Sequence, residues 1–412
     1  MLFSCLFAAL SATPAIDASS LEGKVLFGYQ GWFRTPGDGS PNGWSHWNFG
    51  AQGPSPTTIA VDLFPDLSEF DKKDLALAPG LSRDGKQVYL FSSHNNNVIQ
   101  KHFDWMKTYG LDGVLAQRFI SDIPILRREK DQVLRNIINS AEKTGRVFAV
   151  EYDVSGADPD TVLQELREDW EYLTKELQIT KSPSYLHHNS KPVVSVWGIG
   201  LEGKHHPPHD AQTALGLVQS AQKDSGVFYM GGVPSFWRTR ERDAKSDPAW
   251  KTTYATMNVV QPWTIGRYRD LAGVERWREQ QIKPDLEETT KNGQLYMPVI
   301  FPGFSWHNMF RSSPQNEVPR LKGEFLWKQA VNARNSGATM LKIAMFDEVN
   351  EATAMFKAVS KRSDAPQGGF WLTLDADGVN VPNDWYLRLA GEITKAFHKK
   401  SKLNPTMPAL PK

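Results

Sequence analysis

Cysteine is almost missing from this chain of 412 residues, and the one present is Cys5. A single thiol excludes a disulfide framework and any cysteine-built metal cage. An excess of charge is missing too, since 47 lysines and arginines face 46 aspartates and glutamates. No general pull toward nucleic acid or an anionic membrane follows, and no local basic patch supplies one, so no nucleic-acid partner is expected. Past the first residues no stretch is long and apolar enough to span a bilayer. Several signatures of chemistry are absent as well: there is no Gly-x-Ser-x-Gly elbow, no Walker loop, and no dinucleotide fingerprint after the first strand-like run. The histidines of His205-His206-Pro207-Pro208-His209 sit among prolines without helical His-Glu-x-x-His spacing. A metal-dependent hydrolase built on them is therefore the weaker reading, and neither a metal nor a cofactor is expected.

The opening residues 1–18 run through Leu2, Phe3, Leu6, Phe7 and Leu10 into small residues, the profile of a secretory leader that lacks its basic start. Export to a secreted or periplasmic location is the expectation, with an apolar tail as the alternative. Lipoprotein anchoring at Cys5 is disfavoured because nothing apolar precedes Leu2-Phe3-Ser4-Cys5.

What the chain does have is aromatic surface and alternating periodicity. It carries 14 tryptophans, several in expected loops: Trp32, Trp44, Trp47, Trp237, Trp263 and Trp306. Sugars stack their apolar C–H faces on such rings. Strand-like runs fall at 25–33, 113–119, 146–153, 192–197, 227–232, 257–261, 297–301 and 341–346. Helix-like stretches fall between most of them, at 102–109, 131–143, 161–177, 211–223, 274–290 and 324–336. Eight parallel strands with intervening helices make a (β/α)8 TIM barrel, expected as one domain over 19–400 with a tail at 401–412. The glycine- and proline-rich segment 37–97, with a further strand-like run at 87–91, reads as an extended first βα-loop over the barrel mouth; a separate small subdomain is the alternative. A short hairpin over 369–378 and a last helix over 385–397 complete the chain, and Asp375 to Gly378 reads as a turn rather than a calcium loop.

The most telling feature is the apolar run 341–346, which stops at Asp347-Glu348-Val349-Asn350-Glu351. Barrel chemistry sits at the C-terminal ends of the strands, and paired carboxylates there suit glycoside hydrolysis. If the chain turns helical after the strand, Glu348 and Glu351 project on one side, and their mutual repulsion makes one an acid while the other stays an anion. The plainer reading makes Glu348 a helix cap and Glu351 a solvated first-turn residue. The same strand-end rule gathers Tyr29, Trp32, Gln117, Glu151, Trp263, Phe304, Trp306, His307 and Asp347 as a substrate-binding set of carboxylates, amides and rings. For Glu151 the structural alternative is an ion pair with Arg118, and for the aromatics it is packing.

These motifs, in this order, resemble glycoside hydrolase family 99, the endo-α-mannosidases, and the 71/99-like families allied with it. Phe346-Asp347-Glu348-Val349-Asn350-Glu351 is similar to an eighth-strand Asn-Glu-Trp-His-Glu motif, Phe301-Pro302-Gly303-Phe304 to a Gly-Pro-Gly-Tyr turn, and Gly28-Tyr29-Gln30-Gly31-Trp32-Phe33 to an aromatic first strand. The resemblance implies a retaining mechanism in which Glu348 acts as base toward the sugar 2-hydroxyl, giving a 1,2-anhydro intermediate, while Glu351 protonates the leaving oxygen. It also implies that Glu151 contacts substrate. Val349, Asn350, Asp347 and Phe304 depart from the family pattern, which predicts an altered pocket wall. The expectation is a secreted glycoside hydrolase acting on an α-linked, α-mannan-like poly- or oligosaccharide. An α-glucan hydrolase and a non-catalytic carbohydrate-binding protein on a degenerate barrel are the alternatives, and oligomeric state is left open.

Overall fold

The computed structural model describes residues 15–41, 43–50, 52–203 and 210–409. The histidine cluster at 205–209 and most of the proposed leader lie outside these residues. Residues 15–18 do not: the Ile16 N–H donates to the Gly145 carbonyl at 2.8 Å, and the His187 N–H donates to the Ala18 carbonyl at 2.7 Å. A leader ending at 18 would remove both contacts.

Eight parallel strands build the barrel, taken in chain order: Val25–Tyr29, Gly113–Phe119, Val147–Asp153, Lys191–Trp197, Phe228–Val233, Val259–Pro262, an interrupted seventh, and Leu341–Ile343. Each is a nearly continuous apolar run, because helices cover the outer face and side chains fill the inner one. The first strand pairs with both the second and the eighth. The seventh consists of Leu295–Tyr296, paired with the sixth, and Val299–Ile300, paired with the eighth. Its break falls at Met297-Pro298, where proline has no N–H to give to a ladder. One interrupted segment thus joins both edges of the curled sheet.

Helix boundaries follow local chemistry. Helix Ala211–Lys223 begins where the Asp210 carboxylate accepts the Thr213 N–H at 2.7 Å. Helix Ile123–Thr144 stops at Gly145, whose φ of 66° is the left-handed conformation that glycine adopts without strain. The single helix expected over 274–290 is instead Leu271–Trp277 and Lys283–Lys291 joined by a π-helical turn, Arg278–Ile282. Pro284 cannot donate to the Gln280 carbonyl, and an Arg238 Nη2–H at 3.3 Å takes that place.

The segment 37–97 contains an antiparallel hairpin, Leu75–Arg83 with Lys86–Phe91. Its first strand was not anticipated because Pro79-Gly80 interrupts it, and the register shifts there. Trp47, Val61, Leu63 and Phe91 belong to the same core as Phe27 and Phe346 of the barrel. At the C-terminus the expected hairpin over 369–378 is absent. Leu372 instead makes an isolated parallel bridge with Leu63, so this stretch is tied to the insertion rather than folded on itself. The last helix is Trp385–His398. Among the described residues no helix is long and apolar enough to cross a membrane.

Candidate active site

Strand alternation divides the strand-end residues into two sets. Inward-facing side chains form a polar layer across the barrel: Lys342 donates to Glu151 at 2.5 Å and to Gln261 at 3.0 Å, while Ser195 and Gln117 donate to Glu151 at 2.8 and 3.0 Å. Both members of the Lys342–Glu151 ion pair are fully buried. Gly28 faces this layer, and a Cβ there would lie 2.3 Å from the Met345 side chain and 3.4 Å from Lys342 Cε. The bare Cα makes room for both side chains.

Outward-facing residues are removed from the mouth. Arg118 turns to Asp169 at 2.6 Å and to Asp131 at 2.9 Å, so it does not pair with Glu151. Residues 117 and 118 necessarily point to opposite faces. Tyr29, expected at the sugar, is likewise buried in the helix layer, its hydroxyl 2.8 Å from His102 Nδ1. Burial holds His102 neutral by pushing its pKa down to about 3. The expected substrate ligand Glu151 has both oxygens taken by neighbouring side chains, and its place is the floor of the barrel.

Above that floor stands the carboxylate cluster. No helix directly follows the eighth strand; a turn over 349–352 does, with Ala352 at φ 52°. The helix-cap reading of Glu348 therefore has no helix to cap. Instead Glu348 Oε1 accepts the backbone N–H of Asn350 at 3.0 Å and of Glu351 at 3.4 Å, which orients the side chain. Asp347 accepts the N–H groups of Gln30 and Gly31, each at 2.8 Å, and so ties the first-strand loop to the eighth. Burial pushes Asp347 up to about 6. Burial also raises Glu348 well above the usual carboxylate range, and the charges of Glu351 and Asp347 add to the effect. Glu351, half-buried, is pushed up to about 7 by burial. Asp153, two residues above Glu151 on the same face, is raised to about 6 for the same reason.

The residues between the glutamates serve the insertion. Asn350 Nδ2 donates to the carbonyls of His46 at 2.7 Å and Ala60 at 3.0 Å, and the Val349 carbonyl accepts from the N–H groups of Asp62 and Leu63. The Asn350 side chain and the Val349 carbonyl thus fasten 46–63 to the turn that carries the glutamates. Trp32 consequently stacks on His46 with ring centres 4.2 Å apart and an interplanar angle of 7°. On the opposite wall Trp263 meets Trp197 edge to face at 5.4 Å, above Lys342. Trp32, Trp263 and Trp306 are half-buried, whereas Trp47 and Trp237 are buried core residues. Phe304 is buried and packs its ring against Trp306 at 5.1 Å. His307 turns its Nδ1 to the Ser313 carbonyl at 2.7 Å and braces its loop.

That loop hangs on one side chain that sequence reasoning did not single out. Asp62 is fully buried and accepts from Ser305 Oγ at 2.5 Å, His307 N–H at 2.8 Å and Asn308 N–H at 2.7 Å. Asp62→Ala strands three donors, those of Ser305 and Asn308 buried and that of His307 part-buried, and urea titration is expected to show a loss of roughly 2–4 kcal/mol. A loss under about 0.5 kcal/mol, the scale of an ordinary surface substitution, would contradict this placement. Lys342 and Ser195 were also missed. The signal for Lys342 was present, since a lone lysine within Met340-Leu341-Lys342-Ile343 must find a buried partner.

Among the described residues no group of three or more His, Cys, Asp or Glu side chains is arranged to hold a metal ion. Several polar atoms at the mouth lack partners among the described residues, including Trp32 Nε1, Gln117 Oε1 and Trp306 Nε1.

No protein-family model matches the sequence, and no curated protein matches it either. Solved structures do. The GH99 endo-α-mannosidase from Bacteroides thetaiotaomicron matches with a TM-score of 0.67 at 16% identity, over 92% of this chain and 99% of that one. A second structure of that enzyme, in complex with bis-tris propane, matches with a TM-score of 0.64 at 16% identity, over 92% and 98%. A glycoside hydrolase-like protein matches with a TM-score of 0.57 at 11% identity, over 92% and 96%. At such identities the likeness concerns the fold, and this chain shares the (β/α)8 barrel of these structures over 92% of its length.

Proposed function

We propose that the protein is a glycoside hydrolase that cleaves an α-linked, mannan-like glycan with retention, using Glu348 and Glu351 and no cofactor. The observation that carries this reading is the carboxylate pair in the turn after the eighth strand, where the N–H groups of Asn350 and Glu351 orient Glu348 and burial raises both glutamates. Repulsion opposes removal of the second proton from such a pair, so near neutral pH it keeps one proton and one charge. An acid and a base are then available in the same pocket.

In the free site burial and the charges of Glu351 and Asp347 raise Glu348 the more strongly, so the first step requires substrate to shift the shared proton to Glu351; Glu348, then the anion, takes the proton of the sugar 2-hydroxyl while O2 attacks C1. The bond from C1 to the leaving oxygen breaks, and Glu351 gives that oxygen its proton. A 1,2-anhydro sugar remains. Water then adds to C1, Glu351 accepts its proton, the C1–O2 bond opens, and Glu348 returns the first proton to O2. Two inversions at C1 give net retention. The N–H groups of Asn350 and Glu351 on Glu348 Oε1 suit an anionic acceptor in that role.

The test is incubation with α-mannan and α-glucan, followed by product analysis and the anomeric configuration of the sugar first released. Hydrolysis of α-mannan with release of the α-anomer is the expected result. Release of the β-anomer would overturn the mechanism, and cleavage of α-glucan alone would overturn the substrate. Binding of glycans with no cleavage would leave a carbohydrate-binding protein on this barrel. Export is proposed alongside, from the apolar residues within 1–18; N-terminal sequencing of the protein from its native host tests it, and an intact Met1 on purified protein would refute cleavage.

A further inference from the structure

Beyond the carboxylates, three aromatic rings step outward from the mouth. The first lies beside the site: the N–H of Ser305, next to Phe304, donates to the Glu351 carbonyl at 2.9 Å. Phe304 is buried and meets Trp306 at 5.1 Å; Trp306 is half-buried and meets Phe310 at 4.8 Å; Phe310 is 51% exposed. Exposure therefore rises along a continuous ladder that starts at a proposed catalytic residue.

The outermost ring is held in the open by a braced loop. Asp62 fixes Ser305, His307 and Asn308, and the Phe310 N–H donates to the Trp306 carbonyl at 2.9 Å. Arg311 bonds Asn308 Oδ1 at 2.5 Å, and its Nη2 reaches the carbonyls of Thr57 and Ile59 at 3.3 and 3.2 Å. The strip it grips pairs with the one carrying Phe49, itself 54% exposed, through a bridge between Asn48 and Ile59. A rigid, exposed phenylalanine gains nothing for folding, and on a loop continuous with a site it fits a recognition surface.

We propose that Phe310, backed by Trp306, is the platform of an outer subsite that stacks a pyranose ring of the same glycan chain, one or more units away from the bond that Glu348 and Glu351 cleave. This rests on the function proposed above. The ligand is a carbohydrate because the ladder offers ring faces of rising exposure that continue outward from the proposed catalytic carboxylates, and it carries no charged side chain of its own. The consequence is a preference for longer chains and cleavage within them.

The experiment titrates the full chain carrying Glu351→Gln with an α-mannan disaccharide and hexasaccharide by calorimetry, with and without Phe310→Ala or Phe310→Trp. The hexasaccharide is expected to bind more tightly than the disaccharide. Phe310→Ala should remove on the order of tenfold of that preference, the loss expected for truncating one aromatic anchor, and Phe310→Trp should keep it. A hexasaccharide preference that Phe310→Ala leaves intact overturns this inference alone. Equal affinity for both sugars in the parent also overturns it, while absence of any α-mannan binding overturns the proposed substrate as well.

Discussion

Glu348→Gln and Glu351→Gln are each expected to lower glycan hydrolysis by roughly 10²- to 10⁴-fold, the range supplied by a positioned acid or base. Both should also make the protein more stable at pH 8 than the parent. The sign follows from linkage. An unfolded glutamate has its pKa near 4.5, and Glu351 is raised in the folded chain to about 7. Between those values the folded state binds more protons than the unfolded one, so parent stability falls as pH rises through this window. Below the window both states are protonated and the burial of charge costs nothing. Above it the full cost of a buried anion is present, at most about 3 kcal/mol for a shift of this size. Glutamine has no charge to desolvate, so the gain in Tm should be small at pH 4 and larger at pH 8. Either variant also relieves its partner of repulsion. Parent-like turnover, or a Tm gain independent of pH, would show that these carboxylates are not the raised pair described here.

The second large effect lies one layer deeper. Lys342→Met is expected to cost about 3–5 kcal/mol in denaturant titration, because it leaves the Glu151 carboxylate buried with only Ser195 and Gln117 as partners. The double variant Lys342→Met with Glu151→Gln should recover most of that loss, since the unpaired charge and not the missing contact is the main cost. If the double variant is as unstable as the single one, lost packing around Lys342 outweighs the stranded charge. Glu151 tested alone separates two roles: a sugar ligand would lose activity with stability kept, whereas a residue of the barrel floor loses stability first.

The order of strands and helices was readable because each apolar run must bury both faces, and this requirement is written locally in residues such as Val147 to Val150. The helices 211–223 and 324–336 were placed to the residue, the first with a capping aspartate before it and the second with Gly337 after it. The proline effects at 298 and 284 were harder to read. One interrupts a strand and the other widens a helical turn, depending on what packs against them. The hairpin expected at 369–378 failed because Leu372 found a partner in Leu63, more than three hundred positions away.

In the site, the amino-acid order alone was enough to put two glutamates after the last strand and aromatic residues around them, because strand ends and turn residues are local properties. Which way each side chain faces depended on the register of neighbouring strands. That register sent Tyr29 and Arg118 to the helices, locked Glu151 under Lys342, and aimed Asn350 at the insertion. The raised carboxylates belong to the same category, since desolvation depends on everything packed around a group and not on its neighbours in sequence. Folding makes the motif Asp347 to Glu351 chemically distinctive by burying three carboxylates where water cannot fully solvate them.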